Sequence, residues 1–172
     1  MAKSNDQIIY DVAISQGFTP TAAKLVVAQA RFESADYTSR VFKTDNNTSG
    51  MKYIGQPLAV KGSISPEGNY YARFKSVEDS ARDKVGRLYN ITMRGVTPEQ
   101  LKNVQNADEF ANLLKKRGYY GAPESQYAAG LKAKLLRIQV VEFVTKNKNM
   151  LLLGLGLIAL AGAYYFYTKG KK

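Results

Sequence analysis

The chain of 172 residues contains no histidine and no cysteine. That removes Ser-His and Cys-His nucleophile pairs, HExxH zinc sites, thiolate metal sites and disulfides. A Ser-Lys pair is still formally open. If the chain is a hydrolase, carboxylates are left as acid and base, which is glycosidase chemistry. Glu33 is the first candidate. Positions 26, 29, 30 and 33 fall on one helix face, and Val26 and Ala30 make that face apolar, so Glu33 ends a partly buried stripe. Burial disfavours the charged form of a carboxyl, and a general acid must hold its proton near neutral pH. Periodicity alone favours a solvated helix-end glutamate over a catalytic one.

Longer segments point further. Ala28-Gln29-Ala30-Arg31-Phe32-Glu33-Ser34, then Asn46-Asn47-Thr48-Ser49-Gly50-Met51-Lys52, resembles the "AQAALES…NNLFGIK" pattern of glycoside hydrolase family 73, the peptidoglycan glucosaminidases, which include the flagellar cell-wall hydrolase domain. Tyr71 to Ser80 is similar to the family's "FRxYxSxxDS" segment. Gly118-Tyr119-Tyr120, Pro123 and Tyr127-Ala128 are similar to its "GYATDPxYAxKL" segment. The resemblance runs from about Thr19 to Leu135. It implies a lysozyme-like α+β fold, mainly helical, with a groove beside a small β-hairpin lobe. It implies Glu33 as general acid, Glu67 in the hairpin as the second acidic residue, and Tyr119 lining the cleavage site. Asn47, Gly50, Tyr53, Tyr71 and Tyr127 are the expected substrate contacts, although strand tyrosines such as Tyr53, Tyr70 and Tyr71 are more often packing residues. No metal or cofactor is expected. The chain departs from the pattern at Ser34-Ala35-Asp36-Tyr37, where the family reads Ser-Gly-Trp-Gly. Asp36 and Asp45 read as loop residues, and Glu78 and Asp79 as helix-start charges.

These residues need elements to hold them. Asp6 is placed to cap a first helix ending near Gly17. Thr19-Pro20 opens a second, with proline at the first helical position. Met51 to Val60 and Asn69 to Lys75 are expected to pair as strands around the turn at 62–68. Ser76, Thr97 and Asn106 each start a helix, the last ending near Gly118, and Pro123 opens a long helix towards Val144.

Two domains are expected, residues 1–145 for the glucosaminidase and 146–172 for an anchor. Met150 to Tyr167 is 18 residues without a charge. At about 1.5 Å per residue it would span roughly 27 Å, close to a hydrocarbon core. Tyr164, Tyr165 and Tyr167 cluster at one end as an aromatic belt would. The expectation is one C-terminal transmembrane helix, with a lipid bilayer as partner and a membrane location, for instance in a membrane-containing bacteriophage with virion proteins nearby. The competing reading of the segment is a buried hairpin helix.

The net charge of +11 suits an anionic partner such as a wall polymer, and equally a solvated basic surface. The leading expectation is hydrolysis of the β-1,4 bond between N-acetylglucosamine and N-acetylmuramic acid by a membrane-anchored enzyme, for wall penetration or lysis. One alternative is a lytic transglycosylase or muramidase on the same fold. Another is a catalytically inactive, membrane-anchored structural or wall-binding component of a virion. Nucleic acid is not an expected partner, because the basic residues are scattered.

Overall fold

Helices begin where the sequence supplies capping side chains. Ser4 accepts from the Gln7 amide and opens α1 (Asn5–Ser15). The cap therefore lies two residues before Asp6, which pairs instead with Arg31 at 2.7 Å. Thr19 accepts from the Ala22 amide at the start of α2 (Pro20–Glu33). Ser39 caps α3 (Arg40–Asp45), and Ser76 caps α4 (Val77–Lys84) through the Asp79 amide. A π-helical turn, Val85–Tyr89, continues α4. Thr97 and Gln100 form a complete capping box on α5 (Pro98–Lys102), and Asn106 caps α6 (Ala107–Lys116). A seventh helix, α7, runs over residues 124–138. Each side-chain cap stabilises its helix by about 1 kcal/mol.

The strands pair as one antiparallel hairpin, β1 (Ala59–Ile64) with β2 (Tyr70–Phe74). Ala59 faces Phe74 and Lys61 faces Ala72, with an irregularity before Ile64. The first strand thus starts later than expected. Gly55, with φ 85°, and Pro57 interrupt the run from Met51. What remains of the expected strand is a bridge between Lys52 and Tyr71 and a bond from the Tyr53 amide to the Tyr70 carbonyl.

The core centres on α2, which buries Ala22, Ala23, Leu25, Val26, Val27, Ala28, Gln29 and Ala30. Its alanines let neighbouring elements approach closely, and α1 packs against both α2 and α4. Leu25, Leu101, Phe110 and Leu114 are fully buried, each contributing about 1.5–3 kcal/mol. A smaller cluster of Met51, Ala72 and Phe74 lies under the hairpin, with Tyr53 and Ala59 against it. Asp45 ties α3 to the hairpin. Its buried carboxylate accepts from the Ser63 amide and hydroxyl and from Arg73 Nε at 2.8 Å. A Cβ at Gly62 would stand 2.7 Å from that carboxylate, so glycine makes room for the clamp. Burial opposes the Asp45 charge, but the Ser63 and Arg73 bonds outweigh it and its pKa is lowered. Asp45 is therefore a structural clamp at the end of α3 and not a free loop residue.

A computed structural model describes residues 3–138. The chain divides into two compact units, Met1–Leu135 and Leu136–Lys172. Of the second, only residues 136–138 are described. The expected domain boundary at residue 145 lies outside the described residues.

The mainly helical α+β arrangement with a small hairpin is as expected, but the membrane part of the expectation is corrected. Among the described residues no helix is long and apolar enough to cross a membrane. Spanning takes about 20 mostly apolar residues. The longest described helix, over 124–138, carries Glu124, Lys132, Lys134 and Arg137. Met150 to Tyr167 lies outside the described residues. The transmembrane helix, the bilayer partner and the membrane location are accordingly set aside. The bacteriophage and virion setting rested on the anchor and is set aside with it.

Candidate active site

Glu33 is the last residue of α2, and three donors converge on its carboxylate. Tyr127 donates its hydroxyl to Oε1 at 2.6 Å, and Gln29 Nε2 reaches the same oxygen at 3.3 Å. Tyr119 donates to Oε2 at 3.0 Å. Each donor has a structural reason to be there. Gln29 precedes Glu33 by one helical turn and is wholly buried. Tyr119 follows Gly118, whose φ of 74° ends α6 and redirects the chain. Tyr127 sits near the start of α7, stacked on Tyr120 at 3.8 Å and edge-on to Phe32 at 5.4 Å. That helix comes so close that a Cβ at Gly130 would stand 2.4 Å from the Phe32 ring. Tyr89, in the π-turn, donates to Gln29 Oε1 and so directs the other end of the amide towards Tyr127, at 2.9 Å, and Glu33.

The tyrosines stay protonated. Burial first, then the charge of Glu33, pushes the Tyr119, Tyr127 and Tyr89 hydroxyls above their ordinary value. They are fixed donors across the physiological range.

Glu33 opens onto a cleft of about 560 Å³. Gly50, Met51, Lys52 and Ile54 line one part, Arg87 and Leu88 of the π-turn another, and Tyr119 to Ala122 with Tyr127 a third. Glu33 is the one carboxylate among the described lining residues, whereas Lys52 and Arg87 bring positive charge. Arg87 is held by Asp83 at 2.9 Å.

Of the residues singled out in the sequence, Glu33, Gly50, Tyr119 and Tyr127 meet at this cleft. The others do not line it. Asn47 is buried, donating to the Met51 and Ala72 carbonyls and accepting from the Ser49 and Met51 amides, so it pins the loop that forms one cleft wall. Tyr53 packs on the Met51 cluster. Tyr71 lies beneath the Lys52 ammonium at 4.1 Å. Glu67 is in the hairpin turn, its side chain 65% exposed and paired with Lys52 at 2.9 Å. The Lys52 hydrogen bond, foremost, lowers its pKa to about 2.

Sequence reasoning assigned no role to Tyr89, Lys84, Arg87 or Tyr120. Lys84 is 1% exposed, and its ammonium has no hydrogen-bond partner among the described residues. It lies 6.0 Å from the centre of the Tyr119 ring. Burial lowers its pKa to about 8, with the charge of Glu33 acting in the opposite sense. Among the described residues no cluster of acidic, histidine or cysteine side chains is placed to hold a metal ion.

The glucosaminidase family, described as mannosyl-glycoprotein endo-beta-N-acetylglucosaminidase, matches residues 10–139. The chain belongs to this family. Its domain is a glycoside hydrolase of the glucosaminidase type. Solved structures share the fold. The glycoside hydrolase domain from Salmonella typhimurium FlgJ is 17% identical, with a TM-score of 0.59 over 88% of this chain and 99% of that one. The catalytic domain of the autolysin Auto from Listeria monocytogenes is 20% identical, with a TM-score of 0.52 over 83% of this chain and 89% of that one. A peptidoglycan hydrolase from Sphingomonas sp. A1 is 18% identical, with a TM-score of 0.56 over 76% and 88%. A comparison with curated proteins gave no match. At these identities the structural likeness is one of fold, and the family match carries the glucosaminidase class.

Proposed function

We propose that this glucosaminidase domain cuts glycosidic bonds in the glycan strands of peptidoglycan, with Glu33 as the general acid. The observation behind this reading is a single carboxylate that faces an open cleft and is held by three neutral donors. Protonated Glu33 gives its proton to the glycosidic oxygen. The bond to the anomeric carbon breaks with its electron pair on the leaving oxygen, and positive charge develops on the sugar. The carboxylate left behind keeps its hydrogen bonds from Tyr119, Tyr127 and Gln29, which lowers the cost of giving up the proton.

The second half of the reaction needs a nucleophile. Glu67 is a poor candidate for its base, because it is outside the cleft lining, salt-bridged, and only weakly basic with a pKa of about 2. Capture of the sugar cation by the substrate's own N-acetyl oxygen, followed by water, requires no second protein carboxylate. Lys52 and Arg87 give the cleft a positive potential suited to an anionic polymer.

The same lone carboxylate supports a second reading. A sugar hydroxyl of the substrate could close the ring instead of water, giving a lytic transglycosylase. Digestion of purified peptidoglycan followed by mass spectrometry separates the cases. A reducing N-acetylglucosamine end marks a glucosaminidase, a reducing muramic end a muramidase, and an anhydro end a transglycosylase. Wall that yields no new sugar ends, across several wall chemotypes and pH values, overturns the proposal.

A further inference from the structure

Burying a lysine without a hydrogen bond is costly, because the ammonium loses its water and gains nothing in exchange. Lys84 is such a residue. It is the last residue of α4, its side chain is in the core, and its ammonium lies 6.0 Å from the centre of the Tyr119 ring. Tyr119 itself holds Glu33 Oε2. Sequence pattern gives no packing reason for a cation here, where a methionine or leucine would fill the space at less cost.

We infer that Lys84 is a positioning residue for the acid: from beside the Tyr119 ring, its ammonium supplies the counter-charge for the carboxylate that Glu33 becomes when it delivers its proton. This inference rests on the reading of Glu33 as the acid. In the reactive complex, where Glu33 carries the proton it will deliver, Lys84 has no anion to meet it. As the proton moves to the glycosidic oxygen, negative charge grows on Glu33 and the cation is satisfied. The interaction is stronger in the transition state than in the ground state, which is the condition for raising kcat. Lys84 does not line the cleft, so it acts without touching substrate.

The neighbouring titratable groups leave this role to Lys84. Tyr119, Tyr127 and Tyr89 surround Glu33 from the segment after α6, from α7 and from the π-turn, and all three are kept neutral by burial and by Glu33. The Arg117 guanidinium bonds to the Leu88 and Ile91 carbonyls and acts on Tyr89. Among the described residues, Glu33 is the charged group that acts on Lys84 in the opposite sense to burial.

The test has two arms, both on the full chain. In the first, the Lys84 side chain is titrated by NMR in the wild type and in Glu33→Gln. The wild-type midpoint is expected near 8, and it should fall in Glu33→Gln, whose side chain carries no charge at any pH. An unchanged midpoint overturns the coupling whatever the enzyme's activity. In the second arm, Lys84→Met is assayed on peptidoglycan. We expect kcat to fall about tenfold with KM within about twofold, and the basic limb of the kcat profile to move. A profile that does not move, with kcat retained, overturns the role in catalysis. Should Lys84→Met fail to fold, Lys84→Gln takes its place, and the titration arm still decides. The failure of the acid assignment is separate: it would show as full activity in Glu33→Gln, which leaves the Lys84 titration readable.

Discussion

At the scale of single residues, the account turns on which side chains hold Glu33 and which do not. Tyr127→Phe removes the 2.6 Å donor and leaves the stacked ring. A hydrogen bond to a charged group contributes about 1.5–3 kcal/mol, so kcat should fall about 10- to 100-fold with KM little changed, as steady-state assays on solubilised wall would show. Glu67→Gln should change kcat by less than about threefold, since exposed Glu67 lies outside the cleft lining and its pair with Lys52 is screened by solvent. Lys84 adds a pH dependence of stability. Its folded pKa of about 8 lies below the ordinary 10.5, so the unfolded chain binds the extra proton between those values. Stability from this group therefore rises with pH from about 8 to 10.5 and is least below 8. Lys84→Met should unfold with a free energy about 1–3 kcal/mol higher at pH 7, and should lose that rise in urea titrations run at pH 7 and pH 10. The place of Glu33 at the cleft was legible from the motif around it, whereas its helix face alone favoured a solvated residue. Lys84 was not, because a lysine in the run Arg82-Asp83-Lys84 reads as solvated until the fold closes over it. Gln29 shares the Glu33 face, but its partners Tyr89 and Tyr127 are 60 and 98 residues away in sequence. No local pattern announces bonds of that separation.

At the scale of elements, caps were the most legible feature. Thr19-Pro20, Ser76, Thr97 and Asn106 start helices by local chemistry, and the structure starts them there. Ser4 displaced Asp6 because Asp6 is held by Arg31 and by the Tyr37 hydroxyl at 2.7 Å, partners from distant positions. The hairpin was found, but its first strand was misplaced, since β-type side chains continue through a region that Gly55 and Pro57 break. Two elements govern the cleft. The loop after α3 forms one wall and is tied by Asn47 to Met51 and Ala72. Asn47→Ala leaves those groups unpaired, and the chain should lose about 2–3 kcal/mol in denaturant unfolding. Helix α7 carries Tyr127 and touches Phe32 through Gly130. Gly130→Val should push the helix outward, cost about 1–3 kcal/mol, and lower kcat by lifting Tyr127 from Glu33. A variant that loses stability but keeps kcat would separate helix packing from the placement of Tyr127.

At the scale of the molecule, a mainly helical domain with one hairpin holds a lone carboxylate at a basic cleft, and the family match makes that domain a glucosaminidase-type glycoside hydrolase. The family was legible because its segments stand in order along the chain. The membrane reading came from one apolar stretch outside the described residues, and no described helix supports it. A net charge of +11 implies that attachment to an anionic wall weakens with salt; pull-down on insoluble peptidoglycan should fall several-fold between about 0.05 and 0.5 M salt. The most direct test of the central claim is the release of sugar ends from peptidoglycan by the wild type and by Glu33→Gln, at equal folded concentration. General acid catalysis contributes roughly 10²–10⁴-fold, so Glu33→Gln should retain wall binding while release falls by about that factor. Release by Glu33→Gln at the wild-type rate would contradict the account.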